Sequence, residues 1–163
     1  MAPKSLFKRI TQIGLVVRNV DLAARRCFEE FGIGPWSFYT FDASTVKDMM
    51  IRGKRVDHAM RIASTTIGDV EWELIEPLDD KSIYAEHLRT HGEGLHHVMF
   101  DVENYAEARK QLGEKGCEEI VSGQWFGCPY SYLDTQASLG CLAEIWSPPA
   151  PGTPLPAPER TYP

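Results

Sequence analysis

Two histidines stand side by side in "GEGLHHVMFDV", residues 92–102, at the head of an apolar run. Imidazole nitrogen is both a metal ligand and a proton carrier, so the pair raises the question of a metal centre. An extended run sends neighbouring side chains to opposite faces. His96 and His97 therefore cannot both reach one ion from the same side, and one ligand at most is expected from the pair. Two glutamates also share a setting. In "VEWELIEP", residues 70–77, and "CLAEIWSP", residues 141–148, Glu73 and Glu144 each open a Glu-apolar-x-x-Pro pattern. Carboxylates so placed can ligate a hard cation or move a proton.

The elements that must position these residues occur twice. From Gln12 the chain reads "QIGLVVRNVDLAARRCFEEFG", a strand-like run followed by a helical pattern whose buried stripe is expected to be Val20, Leu22, Ala23, Cys27 and Phe28, ending near Gly32. From His97 it reads "HVMFDVENYAEARKQLGEKG", again a polar residue, an apolar run and a helix, with Ala106, Ala108 and Leu112 inside and Gly116 closing it. Further strand-like runs follow in each half: "WSFYTF" and "AMRIASTTIG" before the first glutamate strand, "EEIVSGQWF" and "YSYLDT" before the second. Each half is read as strand, helix and three strands, the mark of a duplicated supersecondary unit.

The repeat decides between the histidines. His97, not His96, matches Gln12, because each is followed directly by the apolar run. If the two units pack about a pseudo-twofold axis, equivalent positions converge, and Gln12, Glu73, His97 and Glu144 form one cluster. Two carboxylates, an amide oxygen and an imidazole nitrogen suit a divalent ion of roughly octahedral habit with water in the open positions. Zinc, nickel, cobalt, manganese and magnesium all fit that description. His96 is expected to face the other way and to steady the fold, or His97, from behind.

The bulk properties narrow the partner. A chain of 163 residues with 43% hydrophobic content can bury a core as one compact domain or two small fused units. Its 23 acidic residues outnumber 17 basic ones and are dispersed, which argues against nucleic acid or an anionic membrane and for a small molecule. Cys27, Cys117, Cys128 and Cys141 lack C-x-x-C spacing and are expected to be free thiols. With no apolar stretch of spanning length, a cytoplasmic protein is expected. The units are placed at 9–78 and 93–148, joined by a linker at 79–92. A proline-rich tail at 149–163 is read as an extended arm or a disordered terminus.

With these residues in view, "GLHHVMFDV" and the preceding "EPLDDKSIYAEHL" resemble the vicinal oxygen chelate superfamily of glyoxalases, bleomycin-resistance proteins and dioxygenases, most of all its methylmalonyl-CoA epimerase-like members. The resemblance spans residues 9–148. It implies an α+β fold, two tandem βαβββ modules forming a curved mixed sheet around a metal-binding cleft, with metal ligands at Gln12, Glu73, His97 and Glu144. Epimerases of this kind typically carry His at the position of Gln12 and Gln at that of Glu73. The Gln, Glu, His, Glu set here is closer to the zinc-type glyoxalase I, where the residue matching Glu144 acts as base. A second acid is implied near Asp57, in "RVDHAMRIA".

The implied activity is a metal-dependent isomerase or epimerase, or a related lyase, moving a proton α to a carbonyl through a metal-stabilised enolate. Its substrate would be a small molecule with neighbouring oxygens. The alternatives are a ring-cleaving or other metal-dependent dioxygenase and a non-catalytic binding protein of the resistance type. A homodimer is expected from the same resemblance. Trp36, Phe38, Tyr39, Trp125, Phe126, Tyr130 and Trp146 are candidates for an apolar pocket or for core packing. Arg52, Lys54 and Arg55 are candidates for a coenzyme A phosphate or for a solvated loop.

Overall fold

The computed structural model describes residues 5–163. The first half supplies β1 (Phe7–Val16), α1 (Val20–Phe31), β2 (Trp36–Phe41), β3 (Val46–Ile51), β4 (Lys54–Arg55), β5 (Met60–Ile67) and β6 (Val70–Pro77). Helix α2 (Ile83–Thr90) links it to β7 (Gly94–Val102), α3 (Tyr105–Glu114), β8 (Glu119–Trp125), β9 (Cys128–Leu133), α4 (Gln136–Leu139) and β10 (Leu142–Trp146). A short β11 (Arg160–Tyr162) ends the chain. All the strands join one mixed sheet in the order β11-β2-β5-β6-β1-β7-β10-β9-β8-β3-β4.

The repeat is visible in the pairing. β1 runs parallel to β6, and β7 runs parallel to β10, while β1 and β7 meet antiparallel at the centre. Helices α1 and α3 start alike. Asn19 and Asn104, each seven residues past the head residue of its unit, accept the Leu22 and Glu107 amide hydrogens at 2.8 and 2.9 Å. Each bond satisfies a helix-start donor that would otherwise lack a partner.

Alternation along the strands separates an outer from a concave face. Val17, Val20, Ala24, Trp36, Phe38, Ala63 and Leu74 form the outer core beneath α1. Ala108, Leu112, Leu133 and Ile145 form its counterpart beneath α3. A third core on the concave side is shared by both halves, where Ile83 and Tyr84 of α2 pack with Val16, Ile62, Ile75, Val121 and Tyr132. The expected linker is thus in part a helix that plugs the cleft.

Some details differ from the sequence reading. Leu22 is 48% exposed, and Ala24, two residues on and so on the other side of the helix, takes the buried place on α1. Ala106 is exposed, leaving Ala108 and Leu112 to anchor α3. The first half also carries an extra hairpin, β3–β4, which leaves its own half and pairs through β3 with β8 of the second. The tail returns in the other direction: β11 pairs with β2, the opposite edge of the sheet. Among the described residues no helix is long and apolar enough to cross a membrane.

Candidate active site

The central strands bring four of the expected site residues together on the concave face. Gln12 and Gly14 on β1 lie beside Glu71 and Glu73 on β6, respectively. Across the axis Gly14 pairs with His97 and Gln12 with Met99, which in turn neighbours Glu144 on β10. His97 Nε2 sits at the focus, 3.1 Å from Gln12 Oε1, 3.1 Å from Glu144 Oε2 and 3.6 Å from Glu73 Oε2. His97 is fully buried, and Gln12, Glu73 and Glu144 are each less than a tenth exposed.

Gly14 makes this approach possible. A Cβ at that position would fall 2.0 Å from His97 Cε1 and 2.3 Å from Nε2, well inside van der Waals contact. The imidazole therefore occupies the space that a side chain on the neighbouring strand would take.

Two neighbours hold the cluster in place. Gln12 Nε2 donates to Glu71 Oε2 at 3.1 Å, which turns the amide oxygen towards His97. His97 Nδ1 lies 3.1 Å from His96 Nδ1, so one of these two nitrogens carries the shared hydrogen. His96 is buried against Tyr84 and His87 of α2, at 4.9 and 5.2 Å between ring centroids. Burial, reinforced by the nearby His97, His87 and His91, holds His96 well below the usual histidine range and keeps it neutral. For His97 Nε2 to offer its lone pair to a cation, the shared hydrogen must be on His97 Nδ1 and His96 must accept it.

The carboxylates are electrostatically unfinished. Burial, then the neighbouring Glu71 and Glu144, pushes the Glu73 carboxyl well above its ordinary range. Burial also raises Glu71, against the opposing pull of its bonds from Ser64 and Gln12. Low-dielectric surroundings penalise such charge unless a cation compensates it. Among the described residues no three His, Cys, Asp or Glu side chains stand ready-splayed around a vacant ion position. The donors bond to one another instead. The donor set nevertheless fits a divalent ion: two anionic oxygens, an amide oxygen and an imidazole nitrogen meet at one point where negative charge lacks a partner.

Above this floor opens a cavity of about 230 Å³. Gln12, Glu71, Glu73 and Glu144 line its base, and Tyr39, Phe41, Trp125, Tyr130 and Trp146 are among its walls. Leu155 and Pro156 of the tail complete the lining. Of the other aromatic candidates, Trp36 and Phe38 belong to the outer core and Phe126 is 55% exposed. Tyr84 and Tyr132, joined by a 2.8 Å hydroxyl hydrogen bond, also reach the cavity.

Asp57 is not brought to this cluster. Its half-exposed carboxylate accepts from Arg55 Nε at 3.1 Å and is not part of the cavity lining. Arg52 is held by Glu86 through two 3.0 Å bonds, and Arg55 also lies near Asp48. The repeat does not point to Glu71, because Leu142 stands at the equivalent place in the second half. Strand alternation could have found it, since it stands two residues before Glu73 and so faces the same way.

Residues 11–128 match the model of the Glyoxalase/Bleomycin resistance protein/Dioxygenase superfamily. An ethylmalonyl-CoA/methylmalonyl-CoA epimerase from Cereibacter sphaeroides is 31% identical over 94 residues, covering 55% of this chain and 70% of that protein. The fold is similar to methylmalonyl-CoA epimerase from Mycobacterium tuberculosis, with a TM-score of 0.64 and 17% identity over 91% of this chain and 93% of the other. It is also similar to a methylmalonyl-CoA epimerase from Streptomyces coelicolor in complex with 2-nitronate-propionyl-CoA, with a TM-score of 0.60 and 23% identity over 88% and 96% of the two chains. With the duplicated units meeting at their polar head positions and more than half its length matched, this chain belongs to the glyoxalase, bleomycin resistance protein and dioxygenase superfamily.

Proposed function

We propose that this protein is a metal-dependent epimerase or isomerase that moves a proton on the carbon next to a carbonyl. Gln12, Glu73, His97 and Glu144 hold one divalent ion. The observation that carries this reading is the meeting of three oxygen donors within 3.1–3.6 Å of one buried imidazole nitrogen, at the base of a substrate-sized cavity. Membership of the superfamily and the epimerase relatives support it. When bound, the ion supplies positive charge that stabilises an enolate as the neighbouring C–H is lost.

The chain's own groups do the rest. Glu144 both touches His97 and lines the cavity, so it can reach a substrate hydrogen and take it. Net inversion needs an acid that returns the proton from the other side. We assign this to Glu71, which lines the cavity, over Asp57, which pairs with Arg55 outside it. Apolar walls limit water around the reacting carbon and strengthen the electrostatics of the floor.

Purification without chelator should yield about one divalent ion per chain. In deuterium oxide the loaded protein should place deuterium on the carbon next to the carbonyl, without consuming oxygen. Glu144→Gln keeps a neutral oxygen and should retain most of the metal while proton exchange falls steeply, by about a hundredfold or more. Near-normal exchange in that variant would remove Glu144 from the role. Glu71→Gln should stop inversion while single-sided exchange continues. If Asp57→Asn stops inversion instead, Asp57 is the returning acid. Sedimentation against the 18.4 kDa chain should show a homodimer.

A further inference from the structure

We propose that the substrate of this site is uncharged: a carbonyl compound with two neighbouring oxygens and a ring-sized apolar body, not one that offers a free carboxylate. This rests on reading the site as a metal-assisted proton-transfer centre, and it adds the chemical class that centre accepts.

Charge balance comes first. Glu73 and Glu144 together carry the two negative charges that offset a divalent ion, and Glu71 adds an acid, not a cation, to the same floor. A substrate carboxylate arriving there meets no surplus of positive charge. Among the described residues lining the cavity, none is Lys or Arg. Hydroxyls of Ser64, Tyr39 and Tyr130 line the cavity, but a buried carboxylate that finds hydroxyls and no cationic side chain recovers only part of its lost hydration.

The basic residues on nearby strands are directed elsewhere. Arg61 lies between Met60 and Ile62, which face the cavity, so alternation turns it to the opposite side, where it pairs with Asp21 of α1 at 3.2 Å. Arg52 and Arg55 of the β3–β4 hairpin are engaged by Glu86 and by Asp57 and Asp48. None of these is free to turn inward without giving up a carboxylate partner.

The walls favour the opposite kind of molecule. Phe41 and Trp125 stand 5.5 Å apart, ring centre to ring centre, and together with Tyr130, Trp146 and Leu155 they enclose the space above the acids. Aromatic faces of this kind take up a flat apolar group well. An uncharged hydroxyketone or dione offers two oxygens to the ion and an apolar remainder to the walls, with no charge to desolvate. The cavity of about 230 Å³ suits a molecule of one or two rings.

Trp125 and Trp146 make binding observable without turnover. With manganese-loaded protein, tryptophan quenching would be titrated with benzoin, a neutral hydroxyketone, with phenylmalonate, an apolar dianion, and with methylmalonyl-CoA. Benzoin should bind at least about tenfold more tightly than either carboxylate. Equal or tighter binding of phenylmalonate or methylmalonyl-CoA would overturn the proposal, as would no binding of benzoin. Exchange of the hydrogen next to the carbonyl, followed by NMR in deuterium oxide, separates the two readings. Benzoin that binds preferentially without exchange leaves the substrate class standing and refutes proton transfer for that class. Preferential binding and exchange of methylmalonyl-CoA would uphold the proton-transfer centre and refute the uncharged class.

Discussion

Gly14 and His97 show how one residue without a side chain sets up the chemistry of another. The ring of His97 fills the volume above Gly14, so its Nε2 is brought to the carboxylates by the absence of a Cβ two strands from Glu144. Gly14→Ala should leave the strand intact, since alanine adopts extended backbone readily, yet force the imidazole aside. Manganese affinity, measured by calorimetry, should fall about tenfold to a hundredfold while circular dichroism is unchanged. A second prediction concerns Glu73, whose carboxyl is raised by burial and by Glu71 and Glu144. A raised carboxyl stabilises the fold below its unfolded value of 4.5 and loses that contribution as pH climbs through the folded value. Glu73→Gln removes the titration and keeps the shape. In metal-free protein the variant's melting temperature should therefore gain on the parent as pH rises from about 5 to about 8, and added manganese should shrink the difference. A difference that is flat with pH would show that Glu73 is not strained by its charge.

At the scale of elements, what could be read from the sequence was local and what could not was long-range. Strand β2 coincides with "WSFYTF", and β5, β8 and β9 overlap the runs expected for them, because alternation and turn residues are encoded within a few positions. The match of Gln12 with His97 and of Glu73 with Glu144 carried through to the geometry because a repeat copies position as well as pattern. The partner of a strand is not encoded so locally. Nothing in "VKDMMI" says that β3 will desert its own half for β8, and nothing in the linker says that Ile83 and Tyr84 will plug the cleft. The stripe expected on α1 includes Leu22 and omits Ala24 for a related reason: an apolar side chain on a short helix fits several phases, and packing against β5 and β6 decides among them. The helix starts offer a direct check of the duplication. Asn19→Ala and Asn104→Ala each remove one cap, and each should cost about 1 kcal/mol, a fall of roughly 2–4 °C in melting temperature. Thermal melts showing a large loss at one site and none at the other would mean the two units do not share their load alike.

The whole molecule is closed by two crossings that run in opposite directions. The β3–β4 hairpin carries the first half to the far edge of the second, and the tail carries the second half back to the far edge of the first. The tail is anchored at its end. Arg160 lies 3.5 Å over the Phe38 ring and pairs with Asp21, Glu159 accepts the Thr40 amide hydrogen at 2.8 Å, and Tyr162 packs edge-on against Phe28 beside the buried Trp36. Between anchor and β10, Leu155 and Pro156 reach the cavity, so the same segment that shields an outer core also forms part of the wall above the acids. These two roles can be pulled apart. Removing residues 149–163 uncovers Trp36 and Phe38 and should cost roughly 2 kcal/mol, a fall of about 4–8 °C in melting temperature. Leu155 is 46% exposed, so Leu155→Ala should move the melting temperature by no more than about 1 °C. Its effect should appear at the cavity, as benzoin affinity reduced about threefold to tenfold, since an apolar contact of that size is worth about 1 kcal/mol. If the truncated chain binds benzoin as tightly as the full one, the tail shields the core and forms no part of the substrate's surroundings.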